Sequence, residues 1–125
     1  MEVNRVSGEI VDAAMTVHTA LGPGLLESAY EACLAHELTQ RRFRAQRQVQ
    51  MPVTYRGVQV DAGYRIDLFV EETVIVELKA VREVAPIHEA QLLSYLKLSG
   101  CAVGLLINFH VVHLKDGIKR MVNNL

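Results

Sequence analysis

The chain has no tryptophan, only two cysteines and three prolines among its 125 residues, and almost no net charge, at −1. Each shortage excludes something. Cys33 and Cys101 lie in separate apolar runs, with no CxxC and no closely spaced Cys/His pair. That rules against a disulfide-stapled scaffold or a zinc module and suits two buried thiols in a reducing cytoplasm. No run approaches the roughly 18 apolar residues that a membrane span requires. The first residues, MEVNRVSGEIVDAA, lack a charged leader followed by an apolar block, so no secretory signal is expected. The near-neutral charge lacks the strong basic excess of a dedicated nucleic-acid binder. The cations are nonetheless clustered: Arg41, Arg42, Arg44 and Arg47 in one group, Lys115, Lys119 and Arg120 in another. Either group reads equally as a phosphate-contacting patch or as a solvated surface.

What remains is ordinary for a globular fold: half the residues are hydrophobic and 22% are charged. A chain of this length forms one domain, here residues 1–125, and buries about two-thirds of its unfolded surface. No repeat, linker or low-complexity segment divides it.

From Arg5 to Leu21, Val6, Ile10, Ala13, Ala14, Val17 and Leu21 recur at helical spacing, and Gly22-Pro23-Gly24 ends that helix. A second helix is expected from Leu25 to Arg42, with Leu26, Ala29, Tyr30, Cys33, Leu34 and Leu38 as its buried stripe. Ala45 to Tyr55 alternates like a strand, and Pro52 places it at an edge or bulge. Arg56-Gly57 is a turn. Tyr64 to Val70 and Thr73 to Val81 read as a hairpin turning at Glu71-Glu72. Pro86 opens a third helix, Ile87 to Leu98, with Ala90, Leu92 or Leu93, Tyr95 and Leu96 on its apolar face and Gly100 at its end. Cys101 to Phe109 is apolar enough for a strand covered on both sides. Val111 to Val122 carries Asp116-Gly117, a hairpin signal.

Three charged residues interrupt the central hairpin. Glu77 and Lys79 are two apart and share a strand face, and Asp67 lies across from them. Such a group is costly on a half-buried surface unless its members pair or bind a cation. A salt-bridged cross-strand cluster and a cation site both fit. Glu27 borders the buried stripe of the second helix, where a first-turn acid also suits the helix dipole. Gln91 and Tyr95, four apart, share a helix face. His88 reads as a helix-start histidine with phosphate contact as the alternative, and the other histidines are scattered.

The spacing Asp67, nine residues, Glu77, one residue, Lys79 resembles the D…ExK core of the PD-(D/E)xK nuclease superfamily. The element order resembles its restriction-endonuclease-like αβββαβ core with a mixed sheet, extended by an N-terminal helix and a C-terminal hairpin. GPGLLESAYEACLAHEL, with Gly24, Glu27 and Tyr30, together with YRIDLFV, VIVELKAV, HEAQLLSYLK, GLLINF and DGIKR, resembles the GxxExxY protein family from about Val17 to Arg120. The usual Pro before the core Asp is replaced by Ile66.

The resemblance implies a metal-dependent nuclease. Asp67 and Glu77 would hold Mg²⁺ or Mn²⁺, with the Leu78 carbonyl and Glu27 as further ligands. Lys79 would position the attacking water, and Gln91 and Tyr95 would line the site from the third helix. Hard oxygen ligands without histidine or cysteine suit these ions. The expected substrate is nucleic acid, DNA in the first instance, acted on in the cytoplasm by a homodimer with no membrane partner. Two other readings are a non-catalytic binding module on the same scaffold and a hydrolase of small phosphoesters. On the catalytic reading, the helix carrying Glu27 packs so that Glu27, Asp67 and Glu77 converge.

Overall fold

The structure, a computed structural model, describes residues 2–123. Helix α1 spans Val3–Leu21. The Glu2 carboxylate caps it by accepting from Asn4 and Arg5 N–H, both at 2.9 Å, and Gly22 ends it at φ 68°. The periodic positions Val6, Ile10, Ala13, Ala14 and Val17 are buried, while Leu21, last in the stripe, stays 39% exposed. Helix α2 spans Glu27–Gln40 and buries Tyr30, Leu34 and Leu38. Leu26, expected in that stripe, is 76% exposed, because it precedes the first helical turn and so escapes the helix face. Both cysteines are half-buried free thiols rather than core residues.

Strand β1 is Ala45–Gln50, and β2 (Val53–Tyr55) and β3 (Val58–Val60) form a separate two-stranded sheet. The strand expected over Ala45 to Tyr55 is therefore two. Pro52 has no N–H for a ladder, and the chain breaks at Met51-Pro52. Strands β4 (Arg65–Val70) and β5 (Val74–Lys79) make the central hairpin. Its turn residues Glu71 and Glu72 both have positive φ, 54° and 50°, the sign pattern of the tight primed hairpin turns, and Thr73 N–H donates to the Val70 carbonyl at 3.0 Å. Helix α3, Pro86–Ser99, begins with Pro at its first turn and ends on left-handed Gly100. It carries the crossover to β6 (Val103–Asn108), which lies parallel to β5, and β7 (Ile118–Val122) closes the sheet antiparallel to β6. The strand order is β1-β4-β5-β6-β7, with only the β5–β6 pair parallel. This is the restriction-endonuclease-like core, with α1 as the added N-terminal helix.

The C-terminal hairpin is closed differently from the local signal. Residues 111–113 lie outside any regular element, and Leu114–Gly117 is a short 3-10 turn, so 111–115 provide no first arm. The open edge of β6 offers β7 five paired positions, from Val103 with Val122 to Ile107 with Ile118. Gly117 is there for close approach: a Cβ would sit 2.2 Å from the Asn108 carbonyl oxygen.

The sheet has two unequal faces. One packs on α1 and α2 through Leu68, Val70, Val74, Val76, Leu78, Leu105 and Ile107. The other carries Ile66, Ile75 and Leu106 against Leu92, Tyr95 and Leu96 of α3. On that second face β6 presents Gly104, where a Cβ would meet Leu92 Cδ1 at 2.9 Å and Leu96 Cδ2 at 3.2 Å. The helix rests against bare backbone there.

Candidate functional site

The site forms where the central hairpin comes apart. The β4–β5 ladder pairs Val70 with Val74, Phe69 with Ile75 and Leu68 with Val76, and stops there although both strands continue. Beyond that point side chains take over the bonding. Asp67 Oδ2 accepts from Leu78 N–H at 2.8 Å, and Glu77 Oε2 accepts from Asp67 N–H at 3.3 Å. Asp67 is half-buried and Glu77 is 6% exposed.

The strand face switches at this fork. Leu68 and Val70 belong to the α1/α2 side, whereas Ile66, two residues earlier, belongs to the α3 side. The neighbouring β1 does the same: Ala45 packs on the first side and Val49 on the second. Both reversals fall at Gln48 and Asp67, the one position left unpaired between Arg47 with Leu68 and Val49 with Ile66, where Gln48 takes φ 53°.

Two acids meet here without a paired cation. The Glu77 carboxyl is pushed up to about 9, first by burial and then by the hydrogen bond and charge of Asp67; the Asp67 N–H and the charge of Lys79 pull weakly the other way. Lys79 lies close enough to act on Glu77 through its charge, but its ammonium makes no ion pair or hydrogen bond among the described residues. The salt-bridged cluster that the sequence also allowed is therefore not formed.

Glu27 reaches the fork from α2. Its Oε2 accepts from Ala80 N–H at 3.2 Å, and with Glu31, Gln48, Asp67 and Leu78 it lines a hollow of about 340 Å³. The turn that aims it is stapled by Tyr30, three residues on. The buried Tyr30 hydroxyl donates to the Gly22 carbonyl at 2.6 Å and accepts from Leu25 N–H at 3.1 Å, and its ring stacks on Phe109 at 4.4 Å. Gly24, at φ 101°, supplies a backbone conformation that other residues resist. The Gly, Glu and Tyr of that motif thus act as bend, reach and clamp.

From the α3 side comes Tyr95, 4% exposed, with its hydroxyl raised to about 12 by burial and then by the charges of Glu77, Tyr64 and Asp67. Tyr64 meets its ring edge-on at 6.1 Å. Gln91 is half-buried one turn earlier and makes no hydrogen bond among the described residues. His88 caps its own helix, its Nδ1 accepting from Ala85 N–H at 3.1 Å, so the helix-start reading describes it.

The expected three-carboxylate set is looser than anticipated. Among the described residues no three His, Cys, Asp or Glu side chains form a ready metal-ligand group. The reason is visible in the bonding, since Glu27, Asp67 and Glu77 each accept a backbone N–H. A hard cation that takes one or two carboxylates and keeps most of its water fits this arrangement, and a soft ion does not. Larger hollows lie elsewhere, about 440 Å³ beside His18 and His113 and about 380 Å³ beside Arg82 and Asn108. Size favours them, but neither is lined by Asp67; Glu77 lines none of the three.

The basic clusters are mostly engaged. Arg41 pairs with Asp12 at 2.7 Å and Glu37 at 2.8 Å, Arg44 with Glu72 at 2.5 Å, Arg47 with Glu31 at 3.0 Å, and Lys119 with Glu89. Three side chains near the site escaped the sequence reading. Glu31 is a 7% exposed acid on α2, Gln48 contacts Asp67, and Asn108 is buried at the end of β6, bonded to both Val81 N–H and the Val81 carbonyl. The lone amide in an otherwise apolar strand was the signal for Asn108; Glu31 and Gln48 had none beyond polar alternation.

In comparison with known proteins, the family model described as the PD-(D/E)XK nuclease superfamily aligns with residues 4–121, nearly the whole chain. No curated protein and no solved structure matches.

Proposed function

We propose that this chain, which belongs to the PD-(D/E)XK nuclease superfamily, hydrolyses phosphodiester bonds of nucleic acid, DNA foremost, with Mg²⁺ or Mn²⁺ at the β4–β5 fork. The observation that carries this reading is the buried contact between the Asp67 and Glu77 carboxyls with Lys79 nearby and unpaired. A protein gains nothing in stability from such a pair, and a divalent cation offsets its repulsion. When bound, the cation supplies a Lewis acid that activates water and offsets charge on the phosphoryl oxygens.

The chain's own residues do the rest. Asp67 and Glu77 hold the ion, with the Leu78 carbonyl beside them and Glu27 approaching from α2. Lys79, left free by the fold, orients the attacking water and donates to a phosphoryl oxygen as its charge grows. Tyr95 and Gln91 bound the site on the α3 side and fix the scissile strand against it. The placement of Gly24, Glu27 and Tyr30 supports membership in the GxxExxY branch. We place the protein in the cytoplasm as a homodimer; among the described residues no helix is long and apolar enough to cross a membrane.

One observation favours a second reading, a protein-binding module that keeps the scaffold without catalysis: three of the four arginines in the Arg41–Arg47 cluster are engaged in ion pairs. Incubation with linear, branched and single-stranded DNA and RNA in Mg²⁺ or Mn²⁺ decides between them, with Glu77→Gln as control. Cleavage lost in the variant supports the nuclease; neither cleavage nor binding selects the module.

A further inference from the structure

Gln48 is an exposed residue of β1 at φ 53°, a left-handed conformation that a side chain with a Cβ resists. An inserted residue would explain it, but none is present. The β1–β4 register has the same offset on either side of it, Arg47 with Leu68 before and Val49 with Ile66 after, and only Gln48 and Asp67 drop out of the pairing. The ladder opens at this one position on both strands, with no extra residue on either to account for the left-handed backbone.

The side chain shows what this conformation achieves. Gln48 Nε2 donates to Glu31 Oε1 at 2.6 Å and to Asp67 Oδ1 at 3.2 Å. Both partners are carboxylates, which only accept, so the amide nitrogen and not its oxygen must face them. Glu31 is held in turn: it is 7% exposed, and Arg47 grips its other oxygen with Nε at 3.1 Å and Nη2 at 3.0 Å. Asp67 thus has both oxygens fixed, Oδ1 by Gln48 and Oδ2 by Leu78 N–H. Glycine at this position would remove the strain, and asparagine tolerates left-handed backbone, but neither spans both acids.

We infer that Gln48, anchored by Glu31, is a positioning residue that aims the Asp67 carboxylate into the fork for a divalent cation, and that the strained backbone of β1 is the cost of that aim. The inference rests on the reading of the fork as a cation site. Outer groups that orient a metal ligand set affinity without touching the ion, and their loss weakens binding by roughly 10- to 100-fold.

The test compares wild type, Gln48→Gly, Gln48→Asn and Asp67→Asn by two measurements: thermal melting in EDTA and Mn²⁺ binding by calorimetry. Gln48→Gly should melt higher than wild type without metal, because the strain is gone, yet bind Mn²⁺ about 10-fold or more weakly. Gln48→Asn should keep the weakened binding. A residue with a merely structural role gives the opposite pattern, a lower melting temperature and unchanged Mn²⁺ affinity, and that pattern overturns the inference. So does wild-type Mn²⁺ affinity in both Gln48 variants when Asp67→Asn has lost binding, an outcome that leaves the cation site itself standing. Mn²⁺ binding that is absent from wild type, or that survives Asp67→Asn, removes both.

Discussion

The β4–β5 hairpin turns through Glu71 and Glu72, and the β2–β3 hairpin through Arg56 and Gly57, each with two consecutive residues at positive φ. Their arms are otherwise inverted. The first lies in the centre of the five-stranded sheet and carries Asp67, Glu77 and Lys79 into its interior. The second stands apart from that sheet and turns an apolar face outward. Val53 pairs with Val60 and Tyr55 with Val58 on one side, Thr54 with Gln59 on the other, and Tyr55 and Val58 are 65% and 62% exposed. The guanidinium of Arg56 lies 5.5 Å from the Tyr55 ring centroid. Hydrophobic sequence therefore did not decide burial here; the number of neighbouring strands did. A two-stranded hairpin has nothing to bury against, whereas the central one is covered on both faces and accommodates charge only at the point where its ladder opens.

If this contrast is right, truncation should hurt one hairpin and spare the other. Leu68→Ala, at a fully buried position, should cost about 2–5 kcal/mol in denaturant titration. A cost under about 1 kcal/mol would mean the central hairpin is not the core that its burial suggests. Next in size is Lys79→Ala, which removes a side chain without an ion-pair partner among the described residues. Hydrolysis should fall about 100-fold or more while the melting temperature hardly moves. A large loss of stability with activity retained would make Lys79 structural.

Glu77→Gln should give an effect whose size depends on pH. Its carboxyl sits near 9 when folded against an ordinary 4.5, so the folded state holds a proton that the unfolded state releases. The stability from that proton is fully present below about pH 4.5 and is lost as pH rises toward 9. In EDTA the variant should melt close to wild type at pH 4 and several degrees above it at pH 8, and added Mn²⁺ should raise wild type alone. A constant difference across that range would detach Glu77 from the effect. Smallest of all, Val58→Ser on the outlying hairpin should stay within about 0.5 kcal/mol of wild type. A larger loss would show that the exposed valine is covered in solution.

The same contrast explains what could be read from residues alone. The α1 stripe and the buried β6 strand follow from periodicity and from an unbroken apolar run, which are local properties. Glu77 and Lys79 on one strand, with Asp67 across the hairpin, follow from the pleat and a short turn. The reversal at Gln48 and Asp67 was not legible, because strict alternation assumes a pleat that continues, and a left-handed glutamine announces itself by no residue preference. The two readings of the arginine cluster stayed open for another reason. Arg41 finds Asp12, Arg47 finds Glu31 and Arg44 finds Glu72 only when the chain folds, at separations that sequence spacing does not reveal.

Gly104 has a consequence of its own. The missing Cβ sets the gap between α3 and the sheet, and Tyr95 rides on that helix above the acids. The clearance between α3 and the fork is thus set in part by an atom that is not there. A methyl group at that position would act as a shim. It would wedge Leu92 and Leu96 outward and tilt Tyr95 off the fork with every charge left in place. In an evolutionary series this is where the aperture of the site could be tuned without altering its chemistry, and a survey of the polar residues alone would overlook it.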